Sequence, residues 1–195
     1  GNQTTIEEVI RNSLIVDEGD PLNEILFTKS INNLKAKGLF GSVKFDIKDG
    51  SNDNLKEINI NVEEKPTGEI SLGAGVGSSG ASTFFGIKEN NFLGKGLGLD
   101  SNFLISSERF KGKFSATNPN FKNSQKSLFV SAEASENDNF NTFGYKTNKT
   151  GIKIGTNFEY LNDLYLGIGN SNFYEKIDTN STASAMQKKQ EGNYW

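Results

Sequence analysis

Residues 75–80 read GVGSSG and satisfy G-x-G-x-x-G, the spacing with which a glycine turn lets backbone amides approach a pyrophosphate. That chemistry needs a helix opening at the last glycine, because the helix N-terminus holds the phosphate. Here Gly80 is followed by ASTFFGIKEN, an alternating run with Thr, two Phe and a Gly, and no acidic residue follows where a ribose would need it. Gly80 is therefore read as a hairpin turn. Two adjacent carboxylate pairs, Glu7/Glu8 and Glu63/Glu64, could do acid–base work. The first reads better as charge at a helix start and the second as a solvated strand end. DGSNDN at 49–54 lacks the ligand order of a calcium loop. NKT and NST match glycosylation sequons, as an Asn-rich chain does by chance. With no Cys and no His, thiol nucleophiles, disulfides, imidazole bases and the usual zinc sets are all removed. No S-x-x-K or nucleophile elbow sits in a strand–turn–helix setting. The chain is read as no enzyme, with no cofactor and no metal.

What must be positioned is therefore a surface, and composition says of what kind. The 195 residues include 21 Gly and 15 Phe but only 3 Pro, which suits short strands and tight turns. Mean hydropathy is −0.54, and no run approaches the ~20 apolar residues of a spanning helix. A transmembrane barrel passes that test unseen, because only every second residue faces lipid. A net charge of −3 gives no footprint for nucleic acid. The chain opens at Gly1 without Met, basic stretch or apolar leader and ends in EGNYW, so it reads as an internal stretch, and the missing signal peptide carries no information.

The first third alternates between two periods. Thr5 and Glu8 form a capping box, followed by Ile6, Val9, Ile10 and Leu14 at helical spacing. A second helix is expected from DEGDPLNE, with Asp20 as cap, Pro21 at its first position, and Leu22, Ile25, Leu26 and Leu34 facing inward. Gly38 is its left-handed stop. From there the period is two. Val43, Phe45 and Ile47, then Ile58, Ile60 and Val62, form two strands with one face buried. Residues 1–66 thus make a small α+β domain.

From 67 to 195 the period of two dominates. Strands are expected near 68–78, 81–90, 96–106, 109–118, 126–136, 147–160 and 164–176, each close to the ~9–11 residues of a tilted membrane strand. In the first, Ile70, Leu72, Ala74 and Val76 alternate with Gly73, Gly75 and Gly77. The connections NNFLGKG, NPNFKNSQ and LND are compact, while ENDNFNTFGYKTNK and KIDTNSTASAMQKKQEG are long and polar. Short turns on one side and long loops on the other are the outer-membrane barrel arrangement. Phe92, Phe121, Tyr160 and Trp195 fall near strand ends, where amphipathic rings favour the interface.

These residues resemble the BamA family of outer-membrane β-barrel assembly factors. GNQTT, VIRNSL, EGDPLNEILFTKS and LKAKGLFGSVKF follow the order of a POTRA module, the family's last. VEEKPTGEISLGAGVGSSG is similar to the join into the first barrel strand, and NNFLGKG and TNPNF are similar to the next two periplasmic turns. The resemblance covers essentially the whole chain. It implies a fold class of α+β POTRA-like module, β-α-α-β-β with its first strand mostly missing, followed by about seven antiparallel strands of a truncated transmembrane β-barrel. The family's barrel has roughly sixteen strands, within the range of such barrels.

The resemblance also implies a function. Outer-membrane proteins are assembled and inserted, client barrels being folded through a weak seam at the first strand. Residues 1–66 would lie in the periplasm of a Gram-negative-type bacterium and the remainder in the outer membrane. Implied partners are unfolded outer-membrane protein clients, accessory assembly lipoproteins, periplasmic chaperones and outer-membrane lipid, with no nucleic acid. The candidate client-strand residues are Ile70, Leu72, Gly73, Ala74, Gly75, Val76 and Gly77. Glycine weakens a strand interior and adds nothing to cross-strand packing, so a poorly zipped edge could accept a strand by β-augmentation. The same glycines could instead relieve crowding or permit curvature. Val43, Phe45, Ile47, Ile58, Ile60 and Val62 are candidates for peptide binding at the small domain's edge, or are paired internally. The alternative function is a translocation pore of the same superfamily that exports one dedicated secreted partner. A passive porin is disfavoured by the fused POTRA-like module.

Overall fold

The computed structural model describes residues 1–52, 55–77, 80–161 and 164–195. Parts of the expected turns DGSNDN, SSG and LND lie outside them. The chain divides into two compact units, one made of Gly1–Gly68 with Asn90–Leu97, the other of Glu69–Glu89 with Gly98–Trp195. The smaller unit thus includes the NNFLGKG connection, which the linear reading assigns to the barrel.

In the smaller unit α1 (Glu7–Arg11) and α2 (Glu24–Ala36) precede β1 (Phe40–Asp49) and β2 (Lys56–Glu64). The strands are antiparallel, with Val43 opposite Val62, Phe45 opposite Ile60 and Ile47 opposite Ile58. Ile10, Leu34, Leu39, Phe40 and Val62 form the buried cluster, with Val9, Val43 and Ile60 packed against it. Phe27 of α2 meets Phe45 edge to face at 5.0 Å. Gly38 ends α2 at a φ of 70°, as expected of a left-handed stop.

Both helix starts differ from the sequence expectation. The Thr5/Glu8 box does not form, for α1 begins after Ile6 without a side-chain cap; Thr5 is buried and committed elsewhere. The second helix starts at Glu24, capped by Asn23, whose Oδ1 accepts from the Ile25 and Leu26 amides at 3.0 and 3.1 Å. Asp20 instead closes a local turn by accepting from the Asp17 amide. This later start rotates the stripe. The inward residues are Phe27, Ser30, Ile31 and Leu34, while Ile25 is 80% exposed and Leu26 is also exposed.

The larger unit builds on one antiparallel meander. Its strands are β3 (Gly68–Gly77), β4 (Gly80–Phe92), β5 (Leu97–Ser106), β6 (Arg109–Asn118), β7 (Lys126–Asn139), β8 (Tyr145–Leu161), β9 (Leu164–Thr179) and β10 (Gly192–Tyr194). They follow one another in chain order from β3 at one edge to β10 at the other, so the sheet is not closed. β10 adds a short eighth strand to the seven expected. Two four-residue helices, α3 (Phe140–Phe143) and α4 (Ala185–Lys188), sit in the connections that follow β7 and β9. The connection expected across ENDNFNTFGYKTNK is largely strand, because β7 and β8 pair out to Asn139 opposite Tyr145. Their outer halves are polar on both faces, so no apolar alternation marks them.

Register assigns the two faces. Phe114, Ala132 and Ile152 share a row, as do Ala116, Val130 and Ile154; Phe103, Ile105, Phe110 and Ile168 lie on the same side and are exposed. The opposite face carries Lys113 beside Glu133 and Ser131 beside Lys153. On that polar face two rings lie over glycines. A methyl on Gly155 would stand 2.5 Å from the Phe129 ring, and one on Gly151 would stand 2.3 Å from the Phe173 ring. Among the described residues no helix is long and apolar enough to cross a membrane.

Candidate client-strand edge

The sheet ends at β3. Among the described strands it has β4 on one side and none on the other, so one row of its amides and carbonyls has no strand to pair with. Alternation puts Ile70, Leu72, Ala74 and Val76 on one face and Gly73, Gly75 and Gly77 on the other. Ile70, Leu72 and Val76 are 70%, 77% and 89% exposed. The glycine face abuts Ser82 and Phe84 of β4, yet with space to spare. A methyl on Gly73 would lie 3.8 Å from Phe84 Cβ and one on Gly75 3.9 Å from Ser82 Oγ, while on Gly77 it would meet nothing within 4 Å. None of the three has a positive φ. Gly151 and Gly155 are obliged to be glycine by a neighbouring ring; these three are not. Gly80, with a φ of 87°, opens β4 in the left-handed conformation expected of a turn glycine.

The candidate edge residues of the small unit divide differently. The β1 and β2 runs pair with each other, and their apolar side chains face α2. Val62 is buried and Val43 and Ile60 are packed on the core, whereas Phe45 and Ile47 remain exposed.

At the end of β2 stands an arrangement that sequence reading missed. Glu64 is not a simple solvated strand end, since its carboxylate accepts from the backbone amides of Gln3 (2.9 Å), Thr4 (2.9 Å) and Thr5 (2.6 Å). Hydrogen bonds from the Thr5 side chain and from these amides hold the Glu64 carboxyl down at about 2, against a smaller opposing effect of burial. Thr5 Oγ1 in turn accepts from Asn91 Nδ2 at 2.9 Å. Buried Asn91 also accepts from the Gly96 amide at 2.8 Å, and the Ile6 amide donates to the Gly94 carbonyl at 2.9 Å. Gly94, at a φ of 71°, approaches so closely that a methyl there would fall 2.0 Å from the Thr4 carbonyl oxygen. Apart from the Asn91–Gly96 bond within the turn, the partners are some 60 to 90 residues apart, and only the NNFLGKG motif signalled that this turn is special.

Elsewhere the ionic pairs are surface features. Arg11 bridges Glu7 (2.7 Å) and Glu18 (2.5 Å), which lowers the Glu18 carboxyl through its hydrogen bond to Arg11. Lys56 does the same for Asp49. Among the described residues no cluster of carboxylates could hold a metal ion.

Comparison with known proteins places this geometry. Residues 1–65 match the family model for POTRA, described as the surface antigen variable number repeat. An outer membrane protein assembly factor of Treponema pallidum (strain Nichols) is 36% identical over 114 residues, which is 55% of this chain and 14% of the relative. Outer membrane protein assembly factor BamA of Neisseria meningitidis serogroup B is 29% identical over 124 residues, 62% of this chain and 15% of the relative. The crystal structure of BamA from Haemophilus ducreyi lacking POTRA domains 1–3 superposes with a TM-score of 0.75 at 25% identity, covering 92% of this chain and 35% of that one. The chain therefore spans a small part of the curated relatives it matches. A POTRA module that runs into an open antiparallel sheet is thus what this chain shares with a segment of the BamA-type outer membrane protein assembly factors it resembles.

Proposed function

We propose that the chain works in the assembly of outer-membrane proteins, with β3 as the edge on which a client strand pairs. Residues 1–66 stand on the periplasmic side, and the apolar face of the sheet turns to lipid. The observation that carries this reading is the open space beside Gly73, Gly75 and Gly77. Glycine there is not demanded by packing or by backbone conformation. Its effect is to strip one face of the edge strand of cross-strand contacts, leaving backbone pairing as its main bond to a neighbour. Within a bilayer each unpaired amide or carbonyl costs several kcal/mol. A client strand that satisfies that row gains this energy by joining, and no nucleotide is needed. The names of the matched relatives, both outer membrane protein assembly factors, support the same process.

The test is Gly73→Pro in the full-length protein, which removes one amide from the ladder, beside Gly75→Val, which fills the bare face. Heat-modifiable electrophoretic migration checks that each barrel folds, and the level of client barrels in the outer membrane is then followed. Folded variants are expected to lose client assembly. Folded variants that assemble clients at the parental rate would refute β3 as a template. Unchanged outer-membrane proteins together with loss of one secreted polypeptide would assign the export role instead.

A further inference from the structure

Backbone strain concentrates in one connection of the larger unit. Between β6 and β7, Lys122, Asn123 and Gln125 hold φ values of 52°, 56° and 57°, a region that residues other than glycine rarely adopt. Such conformations persist where their surroundings over-determine them, and they cluster at binding sites. Here the surroundings are local. Asn118 Oδ1 accepts from the Asn120 amide at 3.0 Å, Asn120 Oδ1 from the Gln125 amide at 2.8 Å, and the Phe121 carbonyl from Ser124 Oγ at 2.6 Å. The turn is locked, with Phe121 and Lys122 exposed.

Register says what this turn borders. Lys126 opens β7 opposite Phe158, which lies opposite Leu166. Its side chain therefore belongs to the outward, apolar face, at the foot of the column that continues through Leu128 and Val130. Lys126 Nζ lies 5.6 Å from the centre of the Phe158 ring, and Lys122 Nζ lies 5.5 Å from that of Phe121. Among the described residues neither ammonium stands in an ion pair with a carboxylate. Positive charge without an ion-pair partner among the described residues, set below an oily column, matches a molecule with an anionic head and hydrocarbon tails. An acidic protein segment would satisfy the charge but leave the column uncovered.

We propose that this rim is a binding site for an anionic glycerophospholipid, whose phosphate is received by Lys126 and Lys122 and whose acyl chains lie along the column above Lys126. The proposal rests on the reading of the sheet as a membrane wall. To test it, the full-length protein is placed in nanodiscs of equal phosphatidylcholine and phosphatidylglycerol, and the lipid retained after detergent extraction is identified by native mass spectrometry. Phosphatidylglycerol is expected to be enriched on the parent. The enrichment falls on the order of fivefold for each lysine lost in K122Q/K126Q and survives in K122R/K126R. K126Q alone is read if the double variant does not fold. Heat-modifiable migration keeps the two readings apart: a parent that never shows it overturns the membrane wall itself. A folded parent without preference for phosphatidylglycerol overturns the lipid site, as does a folded glutamine variant with undiminished preference, which would leave the lysines to a protein partner.

Discussion

At the scale of single residues the small unit is organised by one carboxylate. Glu64 is held ionised by the Thr5 side chain and three amides, with its carboxyl at about 2 against an ordinary 4.5. A carboxylate lowered on folding stabilises the fold fully above its unfolded value, and that contribution fades as pH falls from about 4.5 through about 2. Melts of the full-length protein across this window should therefore show the POTRA transition falling with acid, and Glu64→Gln should flatten that dependence while lowering the transition at neutral pH. Asn91 is the second such residue, buried between the Thr5 hydroxyl and the Gly96 amide. Asn91→Ala leaves the Gly96 amide without its acceptor and takes one bond from the Thr5 hydroxyl, and is expected to cost about 1–3 kcal/mol, read as faster amide exchange at Gly96. In the core, Leu34 is fully buried, and Leu34→Ala should destabilise the unit by about 2–5 kcal/mol in denaturant titration. Neither Glu64 nor Asn91 could be found from spacing. The Thr5 partner they share is distant in the chain from both, and a hydrogen bond between distant residues leaves no periodicity.

At the scale of elements, what was legible was whatever obeyed a period. Strands β3 to β6 fall within two residues of their expected limits, because apolar residues alternate with small or polar ones along much of their length. The outer parts of β7, β8 and β9 run past those limits, since their residues are mostly polar, carry no regular apolar alternation, and are made strand by backbone pairing with a neighbour. The helix starts were misplaced for a different reason. Asp20-Pro21 and Asn23 are both sound starts locally, and the choice is made by burial of Phe27 and Ile31 and by the Asp17–Asp20 turn. The edge strand was visible as an alternation, but the meaning of its glycines was not, for sequence cannot distinguish a glycine under a ring from one beside empty space. That distinction is testable. Gly155→Ala must displace the Phe129 ring and should cost about 1–3 kcal/mol by overpacking, whereas Gly77→Ala should be neutral. Urea titrations of the folded barrel in lipid vesicles would separate the two.

For the whole molecule, the proposed membrane wall is uneven in height. β3 has ten residues, whereas β8 has seventeen and β9 sixteen. At ~3.3 Å per residue the first strand is ~33 Å long and β8 ~56 Å. A tilt of ~40° reduces the vertical reach of β3 to ~25 Å, below the ~30 Å hydrocarbon thickness of an ordinary bilayer. The flank at β8 and β9 has length to spare, so mismatch falls on the flank that holds the ten-residue β3, β5 and β6. Lipid tails packed there must shorten or splay to meet the strand, and a bilayer deformed in that way resists an incoming chain less than a flat one. On the proposed reading of β3 as a pairing edge, the short strand would add to that edge a local thinning of the barrier that a new hairpin has to cross.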